Sequence, residues 1–206
     1  MELRGRSLYS GYQDQNHCVF IHIPKTAGTS VVCSLFGQNS RHARWTEYYE
    51  SNPDKFQQYF KFCFVRNPWD RLLSAYTFLR QGGMNDTDAR WAKDNLECFD
   101  SFESFVHEWL TEDSIWSWVH FVPQYHWVCD DEGHCMMDFV GRMETINSDF
   151  KIVAERLERE AVLPVRNSTR TKHYSSYYTS EMQDLVRNIY RRDISHFNYN
   201  FNTQST

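Results

Sequence analysis

Lys25, Thr26, Ala27, Gly28, Thr29 and Ser30 place one full positive charge, three hydroxyls and a glycine within six residues. That set suits a phosphate-like anion: the lysine gives charge, the hydroxyls give hydrogen bonds, and Gly28 lets an anion approach the backbone. A helix opening at Gly28 would add its first-turn N–H groups, which have no partner inside the helix. The GxxxxGK[ST] spacing of the common nucleotide loop is absent. A second basic position, Arg66, precedes Asn67-Pro68, and Ser74 follows about two helical turns on. His42 lies between these two groups. Histidine titrates near neutrality and can take a proton from a hydroxyl, although in so polar a stretch the plain alternative is a solvated side chain.

An α/β framework has to hold these residues. Residues 18–23 (CVFIHI) form an apolar, mostly β-branched or aromatic run that stops at Pro24. They predict a buried strand, a tight loop and a helix from about Gly28 to Gly37. Phe60 to Val65 (FKFCFV) predicts a second strand, with Asn67 as cap and Pro68 at the first helical position of the next helix. Leu72, Leu73, Ala75, Tyr76 and Leu79 give that helix its apolar face. Arg66 then stands at the carboxyl end of a strand, where open α/β sheets place ligands; a surface ion pair is the alternative. Residues 1–16 read as a loose arm, 38–58 as a polar mixed stretch, and 82–93 as a polar loop. A helix is expected from Asp100 with Glu103 as capping-box partner, a third strand over Cys135–Gly141, and an amphipathic helix over Asp149–Glu160. Residues 164–178 read as a basic, Tyr-rich loop, and a last helix starts at Thr179 or Ser180 with Gln183 in the capping-box position.

At 206 residues the chain is expected to form one domain with a sizeable core. Lys plus Arg number 22 against 27 acids, a net charge of −5. That balance excludes a general nucleic-acid surface and makes any basic cluster a local anion site. Residues 114–128 are rich in rings, with His120, Gln124, Tyr125 and His126 among them. Such a segment suits the wall of a sugar cleft or plain core packing equally. The six cysteines show no CxxC pair; Cys18 and Cys63 read as buried thiols, while Cys129 and Cys135 could bridge. Neither these nor the nearby histidines have structural-zinc spacing, so no metal is expected. No apolar stretch approaches 18 residues, so no transmembrane segment is expected, and the chain reads as cytoplasmic.

HIPKTAGTS followed by FKFCFVRNPWDRLLSAY resembles the two nucleotide signatures of the sulfotransferases, in the form used by the carbohydrate branch. That branch includes chondroitin and heparan 2-O enzymes and many bacterial relatives. DFVGRMETINSDF and the ending NSTRTKHYSSYYTSEMQDLVRNIYRRDISHFNYNF are similar to the same branch, so the resemblance runs from about residue 18 onward. Two departures stand out. Eukaryotic relatives carry a membrane anchor and work in the Golgi lumen, and Asn198 stands where relatives often have glycine.

The resemblance implies a P-loop-like three-layer α/β fold, with a small parallel sheet flanked by helices. It also implies 3′-phosphoadenosine-5′-phosphosulfate (PAPS) as donor and a glycan, glycolipid or other hydroxyl as acceptor. By position, Lys25, Thr26, Ala27, Gly28, Thr29 and Ser30 would hold the 5′-phosphosulfate, and Arg66 with Ser74 the 3′-phosphate. Arg170 would reach the nucleotide's other side. In bacterial relatives a histidine followed by Glu-Tyr sits between the signatures, which points to His42 with Glu47-Tyr48 as the base and its neighbour. His120 is the reserve base and, with Gln124 and Glu47, a candidate for the acceptor side. Sulfuryl transfer asks mainly for positioning and charge stabilisation, a role for Lys25 at the leaving oxygen. The competing functions are an ATP-dependent P-loop kinase, with Asp138 as magnesium ligand, and a non-catalytic nucleotide- or glycan-binding module.

Overall fold

The structure, a computed structural model, describes residues 8–9, 11–160, 162–163 and 172–202. The elements run α1 (Tyr12–Asn16), β1 (Cys18–Ile21), α2 (Gly28–Phe36), α3 (Trp45–Ser51), α4 (Pro53–Gln58), β2 (Phe60–Val65) and α5 (Pro68–Arg80). Then come α6 (Asp86–Leu96), α7 (Phe102–Glu108), α8 (Tyr125–Val128), β3 (Phe139–Arg142), α9 (Ile146–Arg156), α10 (Ser180–Ile189) and α11 (Arg191–His196). Two compact units emerge. Among the described residues, the first holds those up to 65 and those from 124 to 163, the second those from 66 to 123 and from 172 to 202.

The first unit is built on a three-stranded parallel sheet in the order β1-β2-β3, with helices around it. Phe62 is the register point: it pairs with Phe20 on one side and Phe139 on the other. Side chains alternate across the pleat. Cys18, Phe20, Phe62 and Phe64 pack with Val31, Val32 and Leu35 of α2 and Phe150, Val153 and Ala154 of α9. Val19, Ile21, Cys63 and Val65 on the opposite face are fully buried too, so both faces are covered, as parallel sheets require. Gly141 lies opposite Phe64, and a Cβ there would sit 2.5 Å from the Phe64 ring. Only glycine lets β3 close on β2 at this point.

The second unit is a helical cluster. Leu72, Leu73, Ala75, Tyr76 and Leu79 of α5 meet Phe105 and Val106 of α7, Phe121, and Met182 and Val186 of α10. The aromatic stretch contributes core here: Ile115 and Phe121 are buried, and Trp118 stacks on Trp91 at 5.1 Å.

Several expectations need correction. Tyr9 and Tyr12 are buried and residues 12–16 are helical, so the described part of the loose arm is packed. The polar stretch 38–58 contains α3 and α4, and the expected loop 82–93 is largely α6, capped by Asn85. Polar sequence hid these helices because only one narrow stripe of each is buried. Helix α7 is capped by Ser101 with Ser104 completing the box, so Glu103 has no capping role. The third strand starts at Phe139, because residues 129–135 form a separate turn in which Cys129 and Cys135 pair across an isolated antiparallel bridge as thiols. Helix α9 covers Ile146–Arg156, ahead of the predicted span. Thr179 caps α10 through the Met182 N–H, which takes Gln183 out of the capping position. Residues 164–171 of the basic loop, Arg170 included, lie outside the described residues.

Candidate active site

At the carboxyl end of β1 the chain turns through Pro24 and enters α2 at Gly28. Two residues of this turn, Lys25 (φ 70°) and Ala27 (φ 62°), are left-handed although neither is glycine. Such conformations are strained for residues with a Cβ and collect at functional sites. Alternating hand turns successive N–H groups toward one concave side, an arrangement that binds anions. Thr26 is fully buried, and its hydroxyl donates to the Ile23 carbonyl at 2.9 Å, so this side chain shapes the loop. Lys25, Thr29 and Ser30 are half-buried.

His22, one residue past β1, is 6% exposed. Its ring lies against Gly28: a Cβ on that glycine would meet His22 Cδ2 at 2.0 Å and Nε2 at 2.4 Å. Its Nδ1 is 2.6 Å from Ser40 Oγ. His42 follows on the same side, with its ring centroid 4.2 Å from that of His22. His42 Nδ1 lies 2.8 Å from the His22 carbonyl oxygen. A carbonyl can only accept, so the neutral His42 ring carries its proton on Nδ1 and its lone pair on Nε2. The Trp127 ring stands edge-on to His42 at 6.1 Å. His42 is exposed, and these contacts brace its ring.

The segment bearing Trp127 is tied down by the start of α3. Arg44 Nε donates to the His126 carbonyl at 3.0 Å, and Trp45 Nε1 to the Cys129 carbonyl at 2.8 Å. Burial, and then the nearby Arg44 charge, push the His126 pKa down. Glu47 accepts the Arg44 N–H at 2.8 Å as part of the α3 cap, and Gln124 is fully buried. Asp138 sits at the amino end of the sheet, bonded to the Lys61 N–H at 2.7 Å and to its ammonium at 2.8 Å. That is the end away from the Lys25 loop, so Asp138 does not supply the magnesium ligand a kinase would need there.

In the second unit, Arg66 Nε donates to Asp70 at 2.7 Å, an ion pair only 12% and 18% exposed. The pair fixes the plane of the guanidinium. Asn67, with no exposure, caps α5 through the Trp69 N–H and donates to the Tyr174 hydroxyl and the Asn200 carbonyl. It ties Tyr174 and Asn200 to the start of α5, and Ser74 in that helix is half-buried. His120 is buried beside Phe78, with Asp88 at 3.9 Å.

Of the predicted residues, the first unit thus gathers Lys25–Ser30 and His42, while Arg66, Ser74 and His120 belong to the second. His22 and Trp127 were missed. The signal for His22 was present: a histidine directly after a fully buried strand and before the loop has little access to solvent.

A 115-residue segment is 30% identical to carbohydrate sulfotransferase 14 of Mus musculus and, equally, of Homo sapiens. The segment covers 49% of this chain and 29% of each relative, so the chain matches under a third of their length. No solved structure matches the chain. The sulfotransferase family profile, by contrast, runs from residue 11 to residue 200, and on that match the chain belongs to the sulfotransferase family.

Proposed function

We propose that the protein transfers a sulfuryl group from PAPS to a hydroxyl of a carbohydrate-type acceptor, with His42 as base and Lys25 at the leaving group. The observation that carries this reading is the His42 Nδ1 contact to the His22 carbonyl, beside a loop shaped for an anion. In neutral His42 the proton then sits on Nδ1, and we assign Nε2 the role of taking the acceptor's hydroxyl proton. The acceptor oxygen then bonds to sulfur, and the bond from sulfur to the bridging phosphate oxygen breaks in line. The bond's electron pair leaves on 3′-phosphoadenosine-5′-phosphate, and the Lys25 ammonium offsets the charge growing on that oxygen. The backbone of Lys25 to Ser30 is assigned to the 5′-phosphosulfate, and Arg66 with Ser74 to the 3′-phosphate. These roles rest on the signature sequences. Family membership and the resemblance to carbohydrate sulfotransferase 14 support a glycan acceptor.

Labelled PAPS, against ATP, with a panel of defined oligosaccharides tests the reading. Label should pass from PAPS to at least one glycan and none from ATP. His42→Ala should lower kcat by about 10²–10⁴-fold, the range for a lost general base, with KM for PAPS nearly unchanged. His120→Ala is the control. If that variant is inactive while His42→Ala works within a few-fold of wild type, the roles are reversed.

A further inference from the structure

His22 has no part in the donor or base assignments, yet it touches both. Its ring edge lies on Gly28 of the loop, and its ring face lies on His42 at 4.2 Å with planes 46° apart. Its own carbonyl receives the His42 Nδ1–H. A polar ring buried to 6% exposure is costly unless partnered, and Ser40 Oγ at 2.6 Å is its partner. One residue therefore holds the exposed His42 twice, by main chain and by side chain.

We infer that His22 is a positioning residue. Its imidazole is a wedge between the Gly28 turn and His42 that holds the base in one rotamer and tautomer at a fixed distance from the anion loop. The inference rests on the base assignment above. An exposed histidine held by one carbonyl alone could still swing about χ1 and χ2 and exchange which nitrogen carries the proton. The wedge removes that freedom, and a reacting group displaced by about 1 Å can cost about 10²-fold in rate. Because the same ring touches the loop, a shift of the loop and a shift of the base are one event.

The test begins with the protein alone. Long-range ¹⁵N–¹H spectra of its imidazoles, with His42 assigned by loss of its signals in His42→Gln, should show the Nδ1–H tautomer in the wild type. In His22→Ala they should show an averaged pair. His22→Asn, which keeps a partner for Ser40 but removes the ring, takes over if the alanine protein fails to fold. Turnover follows, with PAPS and the oligosaccharide of the panel that reacts fastest. His22→Ala should lower kcat by about 10²-fold, with a smaller rise in KM for PAPS from the loosened Gly28 turn. His22→Phe, which keeps the wedge, should recover most of that loss. In a His42→Ala background, His22→Ala should cost nothing further. An unchanged His42 tautomer in His22→Ala, or an equal kcat loss in the His42→Ala background, overturns the inference. The second result would make His22 act on its own. Absence of any PAPS turnover in the wild type would instead sink the proposed function, and the tautomer comparison would still decide the role of His22.

Discussion

Replacing Gly28 by alanine tests the loop and its neighbour together. The new methyl would stand 2.0 Å from His22 Cδ2, 2.4 Å from Nε2 and 2.7 Å from Cγ, where ordinary contact begins at 3.4 Å. The ring cannot give way freely. It is buried, bonded to Ser40 on one edge and faced by His42. Overpacking of this kind costs about 1–3 kcal/mol. For a chain of this length each kcal/mol moves Tm by about 2–4 °C, so Tm should fall by about 2–12 °C. Helix propensity works the other way, since alanine is favoured over glycine by about 1 kcal/mol within a helix, which brings the expected fall to about 0–8 °C. Calorimetry on Gly28→Ala, His22→Ala and the double variant measures the coupling. With the ring gone the methyl has room, so Gly28→Ala should cost little in the His22→Ala background. A Gly28→Ala change that shifts Tm equally with and without the His22 ring would refute the contact as drawn.

Three further outcomes are expected. Lys25→Ala should keep the fold, because this half-buried loop side chain belongs to neither core cluster, and should lose about 10²-fold or more in kcat; a raised KM for PAPS with normal kcat would make Lys25 a binding residue only. 3′-Phosphoadenosine-5′-phosphate should raise Tm well beyond adenosine 5′-phosphate, a ligand at a hundred times Kd being worth about 2.7 kcal/mol, and equal shifts would remove Arg66 and Ser74 from the donor site. His126 has its pKa pushed below 6.5, so between the folded value and 6.5 the unfolded chain binds more protons and stability must fall as pH drops through that window; denaturation midpoints of wild type and His126→Gln between pH 7 and pH 5 should diverge, and parallel curves would contradict the shift.

The strands and the two strand-to-helix turns were legible because each announces itself in a few adjacent residues. FKFCFV must be buried on both faces, Asn67-Pro68 can only begin a helix, and Gly37 ends α2 in the left-handed conformation that glycine tolerates. Helices α3, α4 and α6 were not legible, since Tyr48, Phe56 and Leu96 bury a few rings and chains among long runs of polar residues. Their caps carried the message instead: Asn52 before Pro53, and Asn85 before Asp86. The α9 boundary failed for a related reason. Asp149, taken as the first residue of the helix, accepts from the Arg142 N–H and the Thr145 hydroxyl, bracing the turn before a helix that has already begun.

The site divides along the same line between local and distant information. Charge, hydroxyls and a glycine within six residues suggest an anion loop, and that reading needs no structure. Its conformation could not be read, because left-handed backbone at Lys25 and Ala27 runs against the preference of both residues, at about 1–2 kcal/mol each. Contacts within the turn and from outside it hold that strain: the Thr26 hydroxyl on the Ile23 carbonyl, and the His22 ring against Gly28. Likewise nothing in the sequence around His42 says that its Nδ1 meets a carbonyl 20 positions earlier. A histidine becomes a directed base only when something fixes which nitrogen bears the proton. For His42 that something is the carbonyl of His22, the residue that follows the first strand, so the turn that leads into the Lys25 loop also orients the nitrogen proposed to take the acceptor's proton.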